Sequence, residues 1–227
     1  MSFIIAVDGP AGSGKGTITK CVANKIGFAK LDTGALYRCV TLEVLKNKID
    51  LKDISKIVDI VRNMQVEFVK NEDSSELDYV FLNGKNVTKD IRSNEVNSII
   101  SQVSTIKELR EEMLKIQRKM AESQNTIMEG RDIGTVVFPN ADLKIYLNAD
   151  IEERAKRRYK ENVEKGIDTT YEEVLNILKN RDKIDMEREV APLKKAEDAI
   201  EIDSTNMSIE EVVNKIVELY NRAFNKL

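Results

Sequence analysis

Near the start of the chain, Gly9-Pro10-Ala11-Gly12-Ser13-Gly14-Lys15-Gly16-Thr17 carries the spacing GxxxxGK. Phosphate oxygens are held by convergent backbone N–H groups, and glycines let a chain curl closely enough to present them. A helix opening behind such a loop adds the positive end of its dipole, and a lysine at this place reaches β- and γ-phosphates. The chemistry these residues suit is the grip on a nucleoside triphosphate, ATP with Mg²⁺ in the commonest case. The general pattern has Ser or Thr directly after the lysine. Here Gly16 stands there and the hydroxyl follows one place later. Thr17 is therefore assigned to the region of the β-phosphate and Mg²⁺, without direct ligation being required of it.

Three further groups suit an anionic acceptor. In Leu31-Asp32-Thr33-Gly34-Ala35-Leu36-Tyr37-Arg38, Thr33, Tyr37 and Arg38 fall where a strand gives way to a helix. Tyr37 offers a flat stacking face and Arg38 a bidentate fork for phosphate. The plain alternative is a capped helix with a half-buried tyrosine. In Glu129-Gly130-Arg131-Asp132-Ile133-Gly134-Thr135, Arg131 and Asp132 leave the carboxyl end of another strand between two glycines. That is where open α/β sheets bind ligands, although adjacent opposite charges otherwise make a solvated loop. Third, the apolar stripe Val174, Leu178 is continued at helical spacing by Arg181, Asp185 and Arg188. Spacings of four and three keep all of them on one face, and charges on an inward face must be paired or bound to ligand. An exposed charge ladder is the competing reading.

Arg154, Lys156, Arg157, Arg158 and Lys160 form a basic run after the strand ending near Asp150. Such runs commonly make a solvated face. Its place here suggests a mobile lid over residues 153–168 that delivers arginines to the transferring phosphates. The demand for positive charge is large. Two like unit charges 4 Å apart repel by roughly 4 kcal/mol at an effective dielectric of about 20.

The rest of the composition narrows the class. A net charge of −3, from 36 basic and 39 acidic residues, leaves no electrostatic footprint for a nucleic-acid partner. Histidine is absent, which removes His-based nucleophilic and acid–base schemes. Cys21 and Cys39 have no metal-ligand spacing and fall at apolar helical positions, as expected of buried reduced thiols in a cytoplasmic protein. No apolar run is long enough to span a membrane, and the first strand begins at once, leaving no room for a signal peptide.

These residues need a scaffold. Phe3-Ile4-Ile5-Ala6-Val7 is an apolar run without alternation, the mark of a strand buried on both faces, and Asp8 ends it. Ile18, Cys21, Val22 and Ile26 then recur at helical spacing, with Gly27 as the stop. Strands are expected at 28–31, 126–128, 143–147 and 199–202, with helices between them. The alternation predicts an α/β fold: a five-stranded parallel sheet flanked by helices. Met64, Val66, Phe68 and then Leu77, Tyr79, Phe81 alternate with polar residues around a polar turn at 71–75, and Asn83-Gly84 signals a hairpin toward Val87. Residues 64–90 are therefore read as a small antiparallel subdomain inserted into a core of 1–63 and 91–227. Ile106, Leu109, Met113, Ile116 and Met120 mark a long amphipathic helix after it, and Val190-Ala191-Pro192 should end the helix that bears Arg181. Asn47-Lys48-Ile49-Asp50 matches the guanine-reading NKxD motif letter for letter. It ends a helical stretch rather than following a strand, and the sequence has no DxxG switch, so it is read as a helix end and turn.

Taken together, the residues resemble the bacterial cytidylate (CMP) kinases, nucleoside monophosphate kinases of the P-loop NTPase fold. The likeness runs from Ile4 through the glycine loop to Val190-Ala191-Pro192-Leu193 and Asp203-Ser204-Thr205, nearly the whole chain. Its most specific pieces are residues 31–38, the run GRDIGTVVFP at 130–139, and residues 181–193 in combination. The resemblance implies transfer from ATP with Mg²⁺ to CMP and dCMP. Ser101, Arg110 and Asp132 would contact cytosine, with Tyr37 packed on it. Arg181 and Asp185 would hold the ribose, Arg38, Arg131 and Arg188 the acceptor phosphate, and Arg154 and Arg158 would serve the lid. Lys15, Arg131, Arg188, Arg158 and Arg154 are the expected catalytic set. UMP, AMP or a small metabolite is the alternative acceptor; a GTP-dependent switch is the alternative class. A monomer without membrane or nucleic-acid partners is expected.

Overall fold

The computed structural model describes residues 2–71, 78–164 and 166–225. The chain divides into two compact units, one made of residues 1–30 and 124–227 and the other of 31–123.

The first unit opens with strand β1 (Ile4–Asp8), buried at every position as its unbroken apolar run predicts. Helix α1 (Lys15–Ile26) follows the glycine loop and ends at Gly27, whose φ of 73° closes the helix with a left-handed residue. Strand β2 (Ala29–Asp32) carries the chain toward the second unit.

In the second unit, α2 (Thr33–Lys46) and α3 (Ile54–Asn63) precede three short strands, β3 (Val66–Val69), β4 (Tyr79–Leu82) and β5 (Lys85–Asn86). These form an antiparallel sheet in which Asn83 and Gly84, both at positive φ, make a two-residue hairpin. Met64 does not join the sheet; its backbone N–H closes α3 on Ile60, so the strand starts later than the alternation suggested. The expected turn at 71–75 and the position of Leu77 fall on residues 72–77, outside the described residues. Helices α4 (Asn94–Val103) and α5 (Lys107–Ala121) complete the unit. Leu36, Val40, Ile57, Leu109 and Met113 share its core. The NKxD look-alike is a helix end: Asn47 caps α2, and Lys48 turns the chain at φ 52°.

Back in the first unit come β6 (Thr126–Gly130) and β7 (Leu143–Asn148), followed by α6 (Ile151–Glu164), α7 (Tyr171–Glu187), β8 (Ile200–Asp203) and α8 (Ile209–Phe224). The sheet order is β2-β6-β1-β7-β8, with β1 parallel to β6 and β7, and β7 parallel to β8. Asp8 lies in register with Gly130 on one side and Tyr146 on the other. The glycine loop and the segment after β6 therefore leave the sheet at the same carboxyl edge. Ile5, Val7, Ile127, Ile145 and Leu147 form the core beneath them, with Ile18 and Val22 of α1.

Two expectations need correction. Helix α7 ends at Glu187, before Val190: Arg188 leaves helical geometry, and its Nε donates to Ala191 O at 2.7 Å. Cys39 is buried, and burial pushes its thiol up to about 12, but Cys21 is only half-buried beside the core. The expected lid includes Lys165, outside the described residues; residues 153–164 belong to α6. No helix among the described residues is long and apolar enough to cross a membrane.

Candidate active site

The phosphate loop is built on glycines that the backbone demands. A Cβ at Gly9, where φ is +155°, would lie 2.0 Å from the carbonyl oxygen of Leu147, closer than any side chain permits. Gly12 and Gly14 have φ of 75° and 84°, and Gly14 stands at the N-cap of α1 with no side chain over the first turn. Lys15 is buried. Its Nζ donates to Gly9 O and Pro10 O, both at 2.7 Å, and to Ser13 Oγ at 3.2 Å, arching the side chain over the loop. Burial, joined by the positive charge of Arg131, lowers the Lys15 ammonium well below its usual range. Thr17 is exposed on the first turn of α1. Below it, Thr19 Oγ1 donates to Lys15 O at 2.8 Å and meets Glu129 Oε1 at 3.2 Å, while Glu129 pairs with Lys30 at 3.3 Å.

Of the charges expected on the inward face of α7, Asp185 and Arg188 are buried and Arg181 is half-buried. Val174 and Leu178 pack with Ala11 and Ala155, and Asp185 and Arg188 continue that face as buried residues. Arg131 Nε donates to Asp185 Oδ2 at 2.8 Å. Arg188 stands 3.4 Å from Asp132 Oδ1 and 3.8 Å from Asp185 Oδ1. Burial alone would raise the Asp185 carboxyl, but Arg131, then Arg181 and Arg188, outweigh it and leave it below the ordinary carboxylate range. Burial likewise works against the Arg131 cation, and Asp185 more than offsets it. Buried charge is tolerated here because each charge has a partner.

Arg154 occupies a different place from the one its basic run suggested. It is buried, donating through Nε to Ala149 O and through Nη1 to Ala11 O, both at 2.9 Å, and pairing with Asp182 at 2.7 Å. It ties α6 and α7 to the glycine loop. Arg157 is bound to Glu153 and to the carbonyl of Ser204. Arg158 is exposed and paired with Glu161 at 3.2 Å.

In the second unit, the Arg110 guanidinium lies over the Tyr37 ring, 5.3 Å from its centroid, and donates to Ser104 O. Arg38 Nη1 donates to Ile91 O and Asn97 Oδ1 at 2.9 and 2.8 Å. Asp32 caps α2 on Ala35 N, which sets Thr33 at the first helical position. Ser101 is half-buried on α4.

Three buried acids escaped the sequence reading: Asp8, Glu129 and Asp182. Asp182 had a signal, since it lies four residues after Leu178 on the inward face. Asp8 and Glu129 are acids within strand ends that are otherwise apolar.

A glycine loop with its lysine at the carboxyl edge of a parallel sheet, beside half-buried Arg131 after β6 and buried Arg188 at the end of α7, defines a P-loop phosphotransferase. The family model for cytidylate kinase matches residues 5–222. A cytidylate kinase of Caldicellulosiruptor bescii is 52% identical over 216 residues, covering 95% of this chain and 94% of that protein. One of Bacillus subtilis is 47% identical over 214 residues, 94% of each. The chain belongs to the cytidylate kinase family. In fold alone it also resembles the crystal structure of an uncharacterized protein from Eubacterium ventriosum, with a TM-score of 0.54 at 12% identity over 98% and 99% of the two chains.

Proposed function

We propose that this protein transfers the γ-phosphoryl group of ATP to CMP and dCMP, producing ADP with CDP or dCDP. The observation that carries the reading is the paired set of half-buried Arg131 with buried Asp132, Asp185 and Arg188 in the same unit as the phosphate loop, in a chain of this family.

Phosphoryl transfer through a loose transition state depends on positioning and charge stabilisation, so the absence of histidine is no handicap. The backbone of residues 9–17 and the Lys15 ammonium bind the donor's phosphates. Arg131, Arg188 and Arg38 hold the acceptor phosphate, and Arg154 and Arg158 serve the donor side. Arg181 and Asp185 take the ribose; Ser101, Arg110 and Asp132 take the base, with Tyr37 against it. Asp132, an acceptor when ionised, suits the exocyclic amino group of cytosine and repels the carbonyl oxygen that uracil has there. No cluster of three acidic, Cys or His ligands exists among the described residues, and an exposed hydroxyl at Thr17 fits an ion held mainly by phosphates and water. Thr17 and the bound phosphates would hold Mg²⁺, which would supply charge neutralisation of the polyphosphate.

The protein is taken to act as a cytoplasmic monomer. Light scattering on the purified protein tests the oligomeric state. An acceptor panel with an ADP-release assay tests the activity. CMP and dCMP should turn over far faster than UMP and AMP, and equal or better turnover of UMP or AMP would overturn the assignment.

A further inference from the structure

We propose that Asp8 is a positioning residue for the acceptor, holding in place the turn that presents Arg131 and Asp132. The inference rests on the acceptor roles given above to those two residues.

Asp8 is the last residue of β1 and directly precedes the glycine loop, yet its side chain serves another segment. Oδ1 accepts the backbone N–H of Ile133 at 2.8 Å, and Oδ2 accepts that of Gly134 at 2.7 Å. These are the two residues immediately after Asp132. They open a single wide turn, Ile133–Val137, closed by Val137 N to Asp132 O at 3.1 Å and Phe138 N to Ile133 O at 2.7 Å. The first N–H groups of such a turn have no partner within it, and an anion is their strongest acceptor.

The turn is built to allow this approach. A Cβ at Gly134 would meet Lys144 Cδ and Cγ at 3.2 and 3.3 Å and Asp8 Oδ2 at 3.5 Å. The far end is fixed separately. Lys144, buried near the start of β7, donates to Pro139 O at 2.5 Å and pairs with Asp198 at 2.8 Å. Asp8 thus anchors the end nearest Arg131 and Asp132, and Lys144 the other.

Charge chemistry explains why an acid stands at this point. Only an ionised carboxylate offers an acceptor on both oxygens; a protonated acid or an amide turns one of them into a donor facing an N–H. Asp8 is 4% exposed. The groups facing it are Lys15 from α1, Asp132 from the turn, and, from β7, Tyr146 and the stem of Lys144. Burial raises its pKa to about 6, with the two N–H bonds working the other way. The turn is therefore held most firmly above that pH.

The test is a split between substrates. In Asp8→Asn, the KM for CMP should rise by about 10-fold or more, while the KM for ATP stays within about 3-fold, as expected when a recognition group is displaced. Gly134→Ala, which pushes the same turn from the Lys144 side, should give the same selective defect. An ATP KM that rises as much as the CMP KM would mean that Asp8 acts through the phosphate loop, and would overturn the proposal. The unaltered protein provides a second reading that needs no variant. In ¹H–¹⁵N spectra, the amides of Ile133 and Gly134 should shift together with a midpoint near pH 6. No movement of either between pH 3 and 8 would equally overturn it. A wild-type protein that ignores CMP would sink the proposed function instead, and would leave the amide titration standing.

Discussion

Arg188 is the residue on which the acceptor reading presses hardest. Its side chain is 3% exposed, and it reaches two carboxylates, Asp132 and Asp185, from the end of α7. Arginine is suited to this because its fork serves a carboxylate and a phosphate with the same geometry. In Arg188→Ala, turnover should fall by about 100-fold or more, while ATP binding, measured by titration of a fluorescent analogue, stays nearly unchanged. Unchanged turnover would remove Arg188 from the site. Asp185 makes the complementary case. Replacing it with Asn leaves the half-buried Arg131 without its closest counter-charge, a loss of roughly 3 kcal/mol, the low end for a broken buried pair. Urea unfolding should read that loss directly. At the glycine loop, Gly9→Ala should fail outright, because its Cβ would sit 2.0 Å from Leu147 O.

At the scale of elements, α6 separates two arginines that look equivalent in the run Arg154-Ala155-Lys156-Arg157-Arg158. Arg154 points into the protein and holds Ala11 O and Asp182; Arg158 is 43% exposed beside Glu161. Arg154→Met should cost roughly 3 kcal/mol in stability by leaving Asp182 unpaired, and should weaken ATP binding through the loop it braces. Arg158→Ala should alter stability by less than about 1 kcal/mol, since an exposed pair contributes little, and reduce turnover if the arginine serves the donor. Thermal melts and kinetics on the two variants separate these outcomes. The same helix shows what could be read from sequence. Strand β1 was legible because its apolar run is unbroken up to Asp8, β6, β7 and β8 because short β-rich segments recur between helical ones, and the glycine loop because its spacing has a mechanical cause. The Asn83-Gly84 hairpin was legible for the same reason. Helices α3 and α4 were not singled out, and the stop of α7 was placed late. The chain leaves helical geometry at Arg188, four residues before Pro192, and Arg188 Nε donates to Ala191 O. Nor could any periodicity mark Asp8, whose partners lie 125 positions away in the chain.

For the whole molecule, the two acids at the site bend the pH dependence of stability in opposite directions. Asp185 has a depressed pKa, so its contribution is present above the unfolded value of 3.8 and is lost as pH falls through its folded value. Asp8 has the reverse sign. Its pKa rises from 3.8 to about 6 in the folded protein, so the fold binds that proton more tightly than the unfolded chain does. Keeping Asp8 ionised therefore costs stability. The cost builds between those two pH values and is complete above the upper one, at roughly 3 kcal/mol for a shift of this size. Asp8→Asn carries no titrating group there. The unfolding free energy of the wild type minus that of Asp8→Asn, from urea titrations, should thus fall by roughly 3 kcal/mol between pH 4 and 7 and then level off. A difference that stays flat would mean that burial does not raise the Asp8 pKa.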